Sequence, residues 1–257
     1  MASRSPLSDV KRGHISSLLS RGTRADGRRF DEFRTITVET GIAESAEGSA
    51  RLRLGNTDVA VGIKMSVGEP FQDTPDKGVL TTNVELIPMA SENFETGPPS
   101  PAAIELSRVV DRGIRESQMI DLGGLCIKPG EEVWVTYIDV YPLDYDGNLL
   151  DAASIGTVAA LKHTTVPAKR LGKGDDFPLK LRSLPVSCTT VKIGDKLLLD
   201  PTREEEEVSS ARLTVATDEN GDIRAMQKGG TGHFTHDEIR KAIAMSAEAG
   251  RAIREKM

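Results

Sequence analysis

The stretch "EEVWVTYIDVYPLDYDGNLLDAASIGTVAALKHT", residues 131–164, holds the elements from which the fold can be read. Residues 131–144 are dense in Val, Ile, Trp and Tyr, side chains that fit a pleated surface, and read as a strand. Asp146 and Gly147 interrupt the run. Residues 148–164 are mostly apolar or small, so a helix here lacks a polar face and belongs inside the core. A strand feeding a sandwiched helix predicts an α/β or α+β architecture with layers on both sides of that helix.

Working outward, the runs "TITVETG" (35–41), "GSARLRLG" (48–55), "TDVAVGIKMSV" (57–67) and "GVLTTNVELIPM" (78–89) alternate or are β-branched, and each reads as a strand. "GNT" at 55–57 predicts a hairpin turn. Ser100 is placed to cap a helix whose first turn holds Pro101, where a missing N–H costs nothing; that helix runs to about Gln118. Strands are expected at 185–194, 196–200, 209–218 and 221–230, and a terminal helix from 235 to about 254. Thr235 and Glu238 form a capping box at its start, so neighbouring His233 and His236 read as structural and not as a metal site. Residues 6–20 read as an amphipathic helix, followed by the polar connector "RGTRADGRRFDEFR". The loop at 166–182 marks a boundary. The expected organisation is a helical extension (1–22) and two similar sheet-and-helix domains (23–182 and 183–257).

The 257 residues are 38% hydrophobic and 28% charged, which describes a soluble globular chain. A net charge of −6 leaves no global basic field, so any polyanion must be held by a local patch or with a partner's help. Cys126 and Cys188 sit in apolar surroundings and read as small core residues of a reducing compartment. Nothing resembles a signal peptide and no apolar run approaches the ~18 residues of a membrane span; a cytoplasmic protein without a membrane partner is expected. There is no dinucleotide glycine pattern, P-loop or nucleophile elbow, so nothing supports an unrelated metabolic enzyme.

"TRADGRRFDEFR", "GSARLRLGNTDVAVGIK", "IELSRVVDRGIRES", "VWVTYIDVYPLDYDGNLLDAASIGTVAAL" and "KLLLDPTREEEEVSSARLTVA", in this order and spacing, resemble the RNase PH family over roughly residues 20–255. "RVVDRGIRES" and "DVYPLDYDGNLLDAAS" look most like the non-catalytic RNase-PH-type subunit of the archaeal exosome. The resemblance implies an RNase PH-like fold. It also implies a hexameric ring of three heterodimers with a catalytic paralogue, cap proteins with RNA-binding domains, and single-stranded RNA threaded through the pore. Active members degrade RNA from the 3′ end with inorganic phosphate as nucleophile.

Such chemistry needs a phosphate cradle, a grip on the RNA backbone and an acidic group for acid catalysis or metal binding. Active relatives carry a Gly-Thr-Arg-Ser type motif after an Asp-Gly, where helix N–H groups, a hydroxyl and a guanidinium converge on the anion. The matching positions here hold Asn148, Leu149, Leu150 and Asp151; the arginine is gone, and Asp151 is expected to put a repelling charge near the anion. Pro101 and Ala102 stand where active relatives have paired arginines. The acidic spacing survives as Asp200 and Glu206; alone, Asp200 reads as a strand-end residue and Glu204 to Glu207 as a solvated acidic run.

Two readings follow. In the first the chain is a non-catalytic ring subunit with no cofactor of its own, phosphate and a divalent metal being used by its catalytic partner. In the second it is itself a phosphate-dependent 3′-to-5′ exoribonuclease, against which the lost arginines argue. "SRVVDRGIRES" (107–117) bears on the first. At ~100° per residue, Arg108, Arg112 and Arg115 form one stripe opposite Leu106, Val109, Val110 and Ile114. On geometry this is a solvated helix face with Glu105, Asp111 and Glu116 close enough to pair. The resemblance assigns Arg108 and Arg112, with Arg115 less firmly, to RNA phosphates beside the partner's site. Lys169, Arg170 and Lys173 form a second basic patch that reads as a mobile, solvated loop.

Overall fold

The structure, a computed structural model, describes residues 6–257, with side chains from Val10 onward; the first five residues of the expected extension lie outside the described part. In chain order the elements are α1 (Pro6–Ser20), β1 (Ile36–Thr40), β2 (Gly48–Leu54), β3 (Thr57–Gly68), β4 (Val79–Val84), α2 (Pro101–Glu116), β5 (Cys126–Lys128), β6 (Glu132–Asp144), α3 (Leu149–Lys162), β7 (Thr165–Val166), β8 (Phe177–Pro178), β9 (Val186–Ile193), β10 (Lys196–Leu199), α4 (Arg203–Val208), β11 (Ala211–Thr217), β12 (Ile223–Gly229) and α5 (His236–Arg254).

The first sheet runs β1-β2-β3-β6-β4, with β5 beside β6. All its pairs are antiparallel except β4 with β6, and that parallel pair needs the crossover that α2 supplies. Leu54 pairs with Thr57 across the two-residue turn expected at "GNT"; Gly55 has φ 58° at the first turn position, where a side chain would be strained. The second sheet runs β10-β9-β11-β12, entirely antiparallel.

Every residue of α3 from Leu150 to Leu161 is buried, because the helix packs on β2 and β3 of one sheet and on β9 of the other. Its all-round apolarity therefore reflects its place between two sheets. On β9, Thr189 faces α3 while Lys192 reaches Glu238 of α5, so α3 and α5 lie on opposite faces of the second sheet. Ile15 and Leu19 of α1 pack on Val191, Ile193 and Leu198, and the Leu199 N–H donates to the Phe30 carbonyl; extension and connector are thus fastened to the second sheet.

Ser100 caps α2 through the Ala103 N–H, and Thr235 with Glu238 forms the expected capping box on α5. Three expectations change. The fourth strand stops at Val84 and residues 85–89 leave the sheet. Residues 203–208 form the helix α4, opened by a Thr202–Glu205 capping box. Cys188 is buried, but Cys126 is half-buried at the sheet edge against Val79, Val133 and Val135. Among the described residues, no helix is long and apolar enough to cross a membrane.

Candidate functional site

The chain leaves β6 at Asp144 and turns through Gly147 into α3. Gly147 has φ 89°, and a Cβ there would lie 2.4 Å from the Arg203 backbone nitrogen; the turn needs glycine to lie against the start of α4. Asn148 follows at φ 58°, a left-handed conformation that asparagine tolerates, and is fully buried. Its Nδ2 donates to Asp151 Oδ2 at 2.8 Å and to Asp200 Oδ1 at 2.7 Å, while its backbone N–H donates to Glu206 Oε1 at 3.0 Å. One asparagine joins three carboxylates drawn from α3, the end of β10 and α4.

Asp151, expected to put a charge near the anion position, is fully buried. As the third residue of a helix covered on both sides, it turns inward to β9. There Oδ2 accepts the Thr189 N–H at 2.7 Å and Oδ1 accepts the Thr189 hydroxyl at 2.6 Å. Burial pushes its pKa up to about 7, against the hydrogen bonds from Thr189 and Asn148 and with the help of the Asp200 charge. No side chain caps the N–H groups at the start of α3. Leu149 and Leu150 line a pocket of mixed character with Leu86, Phe94 and Ala102 on one hand and Glu105, Tyr145 and Glu206 on the other. Arg212, which also lines that pocket, is committed to Glu105 at 2.6 Å.

Asp200 follows β10 at φ 49° and is fully buried. Its Oδ2 accepts from Arg28 Nη1 at 2.8 Å, Arg34 N at 2.8 Å and Arg34 Nε at 2.9 Å; its Oδ1 accepts from Arg34 Nη2 at 2.8 Å and from Asn148. These donors fill the roughly four lone-pair positions of a carboxylate. The acidic run is not simply solvated. Glu205 is 3% exposed and takes a bidentate grip from buried Arg24, at 2.9 and 2.6 Å. Glu206 turns its carboxylate inward, accepting the Tyr145 hydroxyl at 2.7 Å as well as the Asn148 N–H; burial raises its pKa. Glu204 and Glu207 are exposed. The donor set does not fit a divalent metal at the Asp200–Glu206 pair, because the Asp200 oxygens are already spent on N–H groups.

The α2 arginines do form one stripe. Leu106, Val109, Val110 and Ile114 are buried, as their spacing predicts, and Arg108, Arg112 and Arg115 line a surface depression with Thr82 and Asp111. The Arg108 side chain is exposed and makes no hydrogen bond or ion pair among the described residues. Arg112 is half-buried and donates to Gln227 of β12 at 2.9 Å. Arg115 pairs with Asp111 at 2.9 Å and raises its own pKa by doing so. Of the acidic neighbours only Asp111 behaves as expected; Glu105 is taken by Arg212. In the second basic patch Arg170 pairs with Glu47 at 2.8 Å and Lys173 with Glu132, which leaves less free charge than the sequence suggests.

Reading the sequence did not single out Arg24, Arg28, Arg34, Tyr145 or Thr189, and it read Glu205 only as part of a solvated run. The available signal was density: five arginines fall within residues 21–34 of an acidic chain, upstream of four consecutive glutamates.

The family described as "3′ exoribonuclease family, domain 1" matches residues 32–167, and its domain 2 matches residues 183–249. The chain belongs to the 3′ exoribonuclease family. Among curated members of this family, the "Exosome complex component Rrp42" of Methanocella arvoryzae is 52% identical over 251 residues, covering 98% of this chain and 96% of the relative. That of Thermoplasma acidophilum is 53% identical over 250 residues, covering 97% and 96%. Among solved structures, a chain of the Archaeoglobus fulgidus exosome with RNA bound to the active site superposes with TM-score 0.95 at 48% identity, covering 98% of this chain and 99% of that one. A chain of an archaeal exosome core superposes with TM-score 0.90 at 45% identity, covering 97% of each. Rice Rrp46 shares the 3′ exoribonuclease fold at TM-score 0.71 and 20% identity, over 90% of this chain.

Proposed function

We propose that this chain is the non-catalytic RNase-PH-type subunit of an archaeal-type exosome, pairing with a catalytic paralogue in a six-membered ring that degrades RNA from the 3′ end. Near-full-length identity to exosome components supports the assembly. The observation that carries inactivity is the state of the site. Leu149 and Leu150 stand where a hydroxyl and a guanidinium would grip phosphate, and Asp151 and Asp200 are buried and hydrogen-bonded rather than presented to a ligand. Phosphate and a divalent metal then belong to the partner's site. In this reading the chain contributes a scaffold and a sequence-independent grip on RNA phosphates through Arg108 and Arg112, which arginine provides because it stays charged and can bind two phosphate oxygens at once.

Purified chain incubated with single-stranded RNA and inorganic phosphate is expected to release no nucleoside diphosphates, and the assembled complex to release them. Phosphate-dependent release by the chain alone, abolished by Asp200→Asn, would establish it as an active exoribonuclease.

A further inference from the structure

The three arginines of α2 are held in three different ways. Arg115 is neutralised: its Nε and Nη2 donate to the two Asp111 oxygens at 3.0 and 2.9 Å, and Nη2 donates to the Leu80 carbonyl at 3.3 Å. The exposed Arg108 side chain has no partner among the described residues, and such a side chain keeps its rotamer freedom. Arg112 lies between these extremes. Its Nη1 donates to Oε1 of Gln227 at 2.9 Å, and its side chain makes no other hydrogen bond or ion pair among the described residues. The partner is an amide, so the contact leaves the positive charge uncancelled and the rest of the guanidinium fork open.

The packing of the two domains sets this contact. Gln227 lies on β12, the edge strand of the second sheet, directly across from Thr214. The Thr214 hydroxyl meets that of Thr189, which bonds Asp151 of α3, so this is the face turned towards the helices. Residues directly opposed on neighbouring strands share a face, and Gln227 therefore faces the helices too. Arg112 and Gln227 both line the gap between α2 and this sheet, beside Val109 and Thr214, while Arg112 also lines the surface depression it shares with Arg108.

We propose that Gln227 is a positioning residue for the RNA grip of this subunit, fixing the Arg112 guanidinium in place while leaving its charge to an RNA phosphate. A carboxylate at this position would fix the arginine and cancel it, as Asp111 does to Arg115. An apolar side chain would leave it charged but loose. The inference rests on the proposed contact of Arg112 with RNA, and the two fail separately.

The test is the affinity of the assembled ring, this chain with its catalytic partner, for single-stranded oligoadenylate in phosphate-free buffer, read by fluorescence anisotropy across a salt series. Gln227→Met keeps the length of the side chain and removes the acceptor. It is expected to weaken binding about threefold to tenfold, the cost of ordering one long side chain, with the salt slope unchanged. Gln227→Glu keeps the acceptor and adds a negative charge; it is expected to weaken binding and to reduce the slope by about one. In an Arg112→Ala background, Gln227→Met is expected to cost nothing further, which a merely structural role would not produce. Light scattering and unfolding temperature check that each variant assembles, and if Gln227→Met does not, Gln227→Ala is read in its place. Gln227→Met binding as tightly as wild type, or costing as much without Arg112 as with it, overturns the proposal and leaves the grip of Arg112 standing. Arg112→Ala binding as tightly as wild type removes that grip, and this inference with it.

Discussion

A single buried carboxylate, Asp151, sets a pH dependence of stability. Its pKa rises from an ordinary 3.8 to about 7 in the folded chain because the carboxyl is fully buried. Below about pH 4 both folded and unfolded chains carry the proton. Between there and about pH 7 the unfolded chain releases a proton that the folded chain keeps, so stability falls as pH rises through this window and levels off above it. Asp151→Asn keeps an acceptor for Thr189 and removes the titration. Urea unfolding at about pH 5 and pH 8 should show a smaller drop in the variant, by up to a few kcal/mol; an unchanged drop would mean that Asp151 does not titrate in this range. The composition of this site was legible in the sequence: Asn148, Leu149, Leu150 and Asp151 do occupy the start of the central helix. The direction of one side chain was not. Asp151 points into the core because α3 is covered on both sides, and its hydroxyl partner Thr189 lies 38 residues away on β9.

At the scale of the element, α2 shows how far periodicity reaches. The apolar stripe, the Ser100 cap and the arginine stripe all follow from spacing alone. What each arginine touches does not, since Gln227, the partner of Arg112, comes 115 residues later. Arg112→Glu removes that one part-buried hydrogen bond, worth about 1 kcal/mol, and leaves the buried face of the helix intact. In the assembled complex it should weaken RNA binding uniformly across sequences and reduce the salt slope by about one. Binding by filter or fluorescence anisotropy across a salt series reads both quantities; an unaltered slope would detach α2 from the RNA path. The opposite lesson comes from α4, where four glutamates in a row look solvated. A capping box and the buried grip of Arg24 on Glu205 turn them into a helix with one face inside. The matching cation lies 181 residues upstream, beyond any local pattern.

At the scale of the molecule, the two sheets enclose α3, α2 packs one face on α3, β4 and β12, α5 covers the second sheet, and the connector ties that sheet to α1. Light scattering should find the chain alone short of a complete ring and the mixture with its catalytic partner at the mass of six subunits. A closed ring from the chain alone would remove the need for alternation. The sequence by itself determined the longer strands, the buried central helix and the amphipathic arginine helix, because each is written in local spacing or residue type. Only the tertiary structure decided that the retained carboxylates are spent inside. Arg24, Arg28 and Arg34 meet Glu205 and Asp200 across more than 160 residues of chain, and a charge's fate depends on which opposite charge the fold buries beside it.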